Sequence, residues 1–346
     1  MAGKPKKGPR RRITEKVVLT GVRQGQGATV TTAFGAASKP KPKKGKATEG
    51  AGVLAMDAFH PAHLPLPRAV APYTVIRTTR ILNFDANADV GKFALLGPMK
   101  GSSTNPAAGA WSNMMCVSNN TSLTDLLSAT SATRRYSMTA MDNASWEAAS
   151  ITPAAFSVQV LNPEALQTSS GMLYIGKCQN RMDLSEMDNS QSFEDLANNV
   201  VSYCNPRICS AAKLALRGVQ LDAIPNNMNE LAEFNTLNRV VDGSTASVGS
   251  QFNYHFAGFN PIFMYNPNRV AVQLLVCCEW RVRFDPSNPA HAACRMHKPS
   301  SEQNWASNIN KMVSLGNGVV DIVERVAQVG QLLKRGQLAL PPPMVD

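Results

Sequence analysis

The chain has 346 residues, 44% of them hydrophobic and 17% charged, with a formal net charge of +11. That length buries a sizeable core without metal or disulfide staples; the seven cysteines (Cys116, Cys178, Cys204, Cys209, Cys277, Cys278, Cys294) show no paired spacing, which excludes a disulfide framework and points to a reducing compartment. No run approaches the roughly 20 apolar residues of a membrane span, and the Lys-rich opening is not that of a secretory leader.

The charge is distributed unevenly. Thirteen of the 35 basic residues lie in residues 1–52, against two of the 24 acidic ones, which leaves 22 of each sign for 53–346. The thirteen are Lys4, Lys6, Lys7, Arg10, Arg11, Arg12, Lys16, Arg23, Lys39, Lys41, Lys43, Lys44 and Lys46. They form two clusters, KPKKGPRRR and KPKPKKGK, around a Gly/Thr-rich spacer. Such a segment buries too little apolar surface to offset its ordering entropy, so 1–52 is expected to be a disordered basic arm. A cationic arm on a neutral body calls for a polyanionic partner, and these thirteen residues are the candidate nucleic-acid contacts. A solvated tail or a nuclear localisation signal is the simpler alternative. Phe34 is the only aromatic residue in the arm, so binding there is expected to be electrostatic, with little base stacking.

From Val53 the composition turns apolar, with Ser, Thr, Asn and Pro. Strand-like runs recur at Tyr73 to Phe84, Lys92 to Leu96, Met114 to Val117, Ala154 to Leu161, Met172 to Cys178, Val200 to Cys204, Lys213 to Leu221, Gln251 to Phe256, Pro261 to Tyr265 and Arg269 to Phe284. Without βαβ periodicity, this rhythm predicts an all-β body, a sandwich or jelly roll, over 53–300. Short helices are expected at Thr121 to Ser131 and at Ser192 to Asn199, where Ser192 can cap and Glu194 and Asp195 occupy the first turn. Pro98 to Ser112 and Met182 to Gln191 read as loops, and Asn226 to Gly249 as a small surface excursion. In the last segment, 301–346, the apolar residues Trp305, Ile309, Met312, Val313, Val319, Val320, Val323, Val326, Val329 and Leu333 follow a helical period interrupted by Gly316 and Gly318. An amphipathic helix to Arg335 is expected there, with Asp321 and Arg325 as an i,i+4 pair.

Catalytic signatures are missing. No Gly-x-Ser-x-Gly turn, Cys/His pair in a familiar context or Walker loop occurs, and GQGATV at Gly25 lacks both the third glycine and a preceding strand. The chain therefore reads as no enzyme, and no cofactor is expected. His291, Cys294 and His297, with Cys278 as a fourth ligand, are a thin zinc candidate beside the plain reading of a polar loop. Asp183, Glu186 and Asp188 can offer oxygens to calcium at a contact between copies, although a solvated loop is the commoner role for such a trio. Adjacent Cys277 and Cys278 point to opposite faces of a strand and read as core thiols.

The stretches DAFHPAHLPLPRAVAPYTVIRTTRIL (Asp57 to Leu82) and EWRVRFDPSNPAHAA (Glu279 to Ala293) resemble the single jelly-roll capsid proteins of small icosahedral viruses. The similarity is to nodavirus- and tombusvirus-like capsids, including those of bacilladnaviruses, the single-stranded DNA viruses of diatoms. It implies an eight-stranded viral jelly roll, an antiparallel β-sandwich in which Tyr73 to Phe84 is the first strand and Arg269 to Phe284 the last, neighbours in one sheet. It also implies a self-assembling coat protein of the virion, in a T=3 shell of about 180 identical subunits, which packages a single-stranded DNA or RNA genome through its basic arm. Synthesis in the host cytoplasm is expected, with nuclear import through KPKKGPRRR as a further option; the host-cell receptor is not legible. Such capsids can cleave themselves at an Asn near the C-terminus. Here Asn304-Trp305 and Asn308-Ile309 place a bulky or β-branched residue after each Asn, so no cleavage is expected. The rival to this reading is a cellular β-domain nucleic-acid-binding protein with a basic tail.

Overall fold

The computed structural model describes residues 15–19, 30–34, 56–60, 66, 68–84, 93–101, 111–112, 114–118, 133–137, 149–178, 193–204, 206–238, 254–299, 301–314 and 319–321. The chain divides into two units, Met1–Ala47 and Thr48–Asp346. In the first, β1 (Glu15–Leu19) pairs antiparallel with β2 (Val30–Phe34), Val17 lying opposite Thr32. Composition alone predicts no strands here; the local β-branched runs Val17-Val18 and Val30-Thr31-Thr32 account for them.

The second unit runs β3 (Thr74–Phe84), β4 (Phe93–Leu96), β5 (Met99–Gly101), β6 (Trp111–Ser112), β7 (Met114–Ser118), β8 (Thr133–Ser137), β9 (Ala149–Leu161) and β10 (Met172–Lys177). Helix α1 (Phe193–Cys204), β11 (Arg207–Ser210), α2 (Ala211–Leu216), β12 (Val219–Asp222), α3 (Met228–Ala232) and β13 (Leu237–Asn238) follow. Last come β14 (Tyr254–Phe256), β15 (Ile262–Tyr265), β16 (Val272–Phe284), a 3-10 turn at Pro289–Ala293, α4 (Glu302–Ser314) and β17 (Val319–Asp321). A five-stranded sheet has the order β17-β12-β9-β16-β3, a six-stranded sheet β11-β10-β15-β4-β7-β8, and a four-stranded sheet β13-β6-β5-β14. The two larger sheets are antiparallel throughout.

Alternation makes these two sheets a sandwich. Val272, Leu274, Val276, Cys278, Trp280 and Val282 of β16 join Phe156, Val158 and Val160 of β9 in one buried cluster with Leu173, Ile175, Ala94, Leu96, Ile262 and Met264 from the six-stranded sheet. The first and last long strands, β3 and β16, lie side by side, with Leu82 opposite Leu274 and Ile76 opposite Trp280. Arg77 is thereby brought level with Glu279.

Three sequence expectations need correction. Val200 to Cys204 is the last part of α1 rather than a strand, because Ala197 and Val200, three apart, bury one helical face. Lys213 to Leu221 divides into α2 and β12. The Ser210 side chain caps α2 by accepting from the Lys213 N–H, and Gly218, at φ 60°, turns the chain out of it. The alternating leucines suggested one strand, yet Leu214 is buried and Leu216 is 65% exposed. Of the expected C-terminal helix, Glu302–Ser314 form α4 while Val319–Asp321 form β17, which pairs with β12; 315–318 and 322–335 lie outside the described residues. Gly316 and Gly318 weaken the helix, and Val319-Val320 favours a strand. Asp321 lies on β17, and Arg325, its expected partner, lies outside the described residues. Strands β5 and β6 occupy part of the expected 98–112 loop. The helix expected at 121–131 and the loop at 182–191 lie outside the described residues, as do 239–249 of the expected excursion. Its preceding part is tied to the sheet, Asn235 exchanging both backbone hydrogen bonds with Ile151.

Candidate functional site

The face of the five-stranded sheet turned away from the core is polar. Alternation puts Arg77, Thr79, Ala155, Ser157, Cys277, Glu279 and Arg281 there, opposite to core residues Phe156, Val158, Cys278 and Trp280. Residues 57–60, which precede β3 and follow the basic segment, are seated on this face. Ala58 is fully buried against Ala155 and Cys277. The turn is closed locally: Asp57 Oδ1 accepts from Phe59 N–H at 2.9 Å, and the Asp57 carbonyl accepts from His60 N–H at 3.0 Å.

Side chains of the sheet hold the backbone of this turn. The Ala58 N–H donates to Ser157 Oγ at 2.9 Å, and Ser157 Oγ donates to Asp222 Oδ1 at 2.8 Å. Gln220 also donates to Asp222 Oδ1 at 3.0 Å, and Gln159 donates to Gln220 at 2.9 Å, which extends the network across β9 and β12. Cys277 Sγ donates to the Ala58 carbonyl at 3.3 Å. Burial pushes this thiol up to about 11, against the opposing effect of Thr79, so it stays protonated and remains a donor. Arg77 binds two elements together, donating to the His60 carbonyl at 2.5 Å and to Glu279 Oε2 at 2.8 Å. Glu279 is only 1% exposed, so this charge-assisted bond operates in a weakly screened setting.

The same face continues toward Tyr73. Arg281 donates to the Pro153 carbonyl and bonds the Tyr73 hydroxyl; burial lowers the Arg281 pKa and raises that of Tyr73. Tyr73 stacks on His297 with ring centroids 4.0 Å apart, and Arg283 lies 4.0 Å over the Phe234 ring.

Of the thirteen candidate nucleic-acid contacts, Lys16 is on β1. Lys4, Lys6, Lys7, Arg10, Arg11, Arg12, Arg23, Lys39, Lys41, Lys43, Lys44 and Lys46 lie outside the described residues, as do the calcium candidates Asp183, Glu186 and Asp188. The zinc candidates are engaged elsewhere. His291 Nδ1 is 2.9 Å from the Phe284 carbonyl, His297 Nε2 is 3.0 Å from the Tyr73 carbonyl, Cys294 donates to the Val282 carbonyl, and Cys278 is in the core. Among the described residues, no group of three or more His, Cys, Asp or Glu is placed to hold a metal ion. Sequence reasoning missed the seat formed by Arg77, Ser157, Asp222 and Glu279. Its signal was available: Glu279 and Arg281 are charges inside the apolar run VCCEWRVRF, where a strand buried on both faces has to pair them. Separately, Ile81, Met172, Ile208, Leu216 and Met296 present apolar side chains to solvent.

The architecture defines a class, the antiparallel β-sandwich with few helices. No protein-family model matches the chain, and no curated protein matches it in sequence. Among solved structures it is similar to those of viral particles and their proteins. The D431N mutant VP2 protein of infectious bursal disease virus, in derived T=1 particles, overlays at 10% identity and TM-score 0.44, covering 86% of this chain and 98% of that one. The decameric BFDV capsid protein overlays at 11% identity and TM-score 0.27, covering 62% and 99%. The KBV activated particle at acidic pH gives 11% and 0.27, covering 87% and 99%. At such values the overlay is loose, and the functional reading rests on the chain's own residues.

Proposed function

We propose that this chain is the coat protein of a small icosahedral virus, a shell-forming jelly roll whose basic arm packages a single-stranded genome. The observation that carries the reading is the partition of charge: the whole excess of +11 lies in 1–52, ahead of a β-sandwich with equal numbers of acidic and basic residues. A neutral, strand-rich body suits repeated contacts between copies, and an excess of cations on a separate segment suits sequence-independent neutralisation of phosphates.

Strand order supports the jelly roll. Of the two large sheets, β3, β16, β9 and β12 form one four-stranded set and β4, β15, β10 and β11 the other; in chain order the strands cross from one sheet to the other at each step except between the neighbours β10 and β11, the order of a jelly roll. In this reading the protein is a nodavirus-, tombusvirus- or bacilladnavirus-like capsid subunit, in a T=3 virion of about 180 copies. It is made in the host cytoplasm, with KPKKGPRRR available for nuclear import. The polar seat on the five-stranded sheet gives a structural rather than catalytic role to the buried charges. Electron microscopy of the purified protein, with sequencing of whatever nucleic acid survives nuclease treatment, tests the proposal. Closed shells holding nucleic acid are expected; monomers at every salt and pH would contradict it.

A further inference from the structure

We infer that Arg77, Ser157 and Asp222 are positioning residues for the basic arm: they clamp residues 57–60, the root of the arm, onto one face of the five-stranded sheet, so that every copy sends out its arm from the same place. This rests on the coat-protein reading for its consequence, while the clamp itself stands on geometry. Residues 57–60 extend no sheet, yet Asp57, Ala58 and His60 are buried. Their backbone is gripped by side chains instead. Ser157 holds the Ala58 N–H, Cys277 the Ala58 carbonyl and Arg77 the His60 carbonyl. Two of the three gripping groups are fixed in turn, Ser157 by Asp222 and Arg77 by Glu279.

A purely structural patch of this size would be served as well by apolar residues, since burying carboxylates carries a desolvation cost that their bonds only offset. Directional bonds to a backbone do something apolar packing does not: they fix one register of the segment they hold. The segment they fix joins thirteen cations to a neutral body. A chain so charged pulls on its root whenever it engages a polyanion, and a root held only by apolar contact with Ala58, a small side chain, would slide.

The test uses the full-length protein in wild-type form and in three variants. Ser157→Ala removes the Ala58 acceptor. Arg77→Gln combined with Glu279→Gln removes the grip on His60 without leaving a buried carboxylate deprived of its Arg77 counter-charge. Ser157→Thr keeps the hydroxyl and serves as the rescue. Hydrogen exchange of the 56–60 segment reports the clamp directly: in the first two variants it should quicken about tenfold or more while β16 amides hold their protection. In purified particles, trypsin should then reach the arm at least about tenfold faster than in wild type or Ser157→Thr. Nucleic acid per particle should fall although the arm sequence is unchanged. Unaltered exchange at 56–60 overturns the clamp. Faster exchange with arms as protected, and particles as full, as in wild type overturns the positioning role. A wild-type protein that forms no particles overturns the coat-protein reading and the arm's role with it, and the exchange result still reports on the clamp.

Discussion

Glu279 lies near the middle of β16 at 1% exposure, and Arg77, directly opposite on the neighbouring strand β3 and some two hundred residues away in sequence, supplies a counter-charge. Removing the guanidinium takes a counter-charge from a buried carboxylate, a change that typically costs about 3–5 kcal/mol. Arg77 is partly solvent-exposed, so Arg77→Ala is expected to lower unfolding stability by roughly 2–3 kcal/mol in denaturant titration; a loss under about 0.5 kcal/mol would show that water replaces it. Cys277 supplies a pH test. Its pKa rises on folding from 9.0 to about 11, so the folded state holds this proton more tightly. The resulting stabilisation is complete below pH 9.0 and is lost as pH rises through about 11. Thermal midpoints should fall across that window, and Cys277→Ala should remove part of the fall. If the two profiles run parallel, Cys277 contributes nothing to it. At this scale the sequence was partly legible: strand alternation correctly sends Cys277 and Cys278 to opposite faces, but nothing local shows that residues 57–60 will cover one of them.

Among the elements, α2 shows how an alternating pattern misleads. Leu214 and Leu216 look like one face of a strand until the Ser210 cap and Gly218 are given their weight. Ser210→Ala is expected to cost about 1 kcal/mol through the lost cap, measurable by chemical denaturation. Gly258 is a harsher position. Its φ is 70°, and an added Cβ would stand 2.6 Å from Leu231 Cδ2, with Trp111 behind, so Gly258→Ala combines strain with a clash. A loss of about 2 kcal/mol or more is expected, and soluble protein with an unchanged midpoint would show that α3 simply moves aside. The C-terminal segment follows its helical period through α4, which Trp305 anchors in the core. Beyond it, β17 closes the edge of β12, a pairing that periodicity cannot reveal because it depends on a free sheet edge elsewhere.

For the whole molecule, the division between a cationic segment and a neutral body is written in composition, and the strand-rich class in rhythm. Adjacency of the first and last long strands is not. It came from resemblance, and the register of β3 with β16 then places Arg77 beside Glu279. The fold contains the seat of residues 57–60 because strand pairing brings β3, β9 and β16 side by side. Deletion of residues 1–47 should therefore leave the midpoint of the body nearly unchanged while removing nucleic-acid binding. Binding by the intact chain should weaken steeply with salt, as phosphate neutralisation requires. The most direct measurement is electron microscopy of the purified full-length protein and of the form lacking 1–47, with nuclease-protected nucleic acid quantified in each. Closed shells from both, filled for the intact chain and empty or without packaged nucleic acid for the deletion, are predicted. Monomers or small oligomers of the intact chain under every salt and pH condition, or equal nucleic-acid content with and without the arm, would contradict the account.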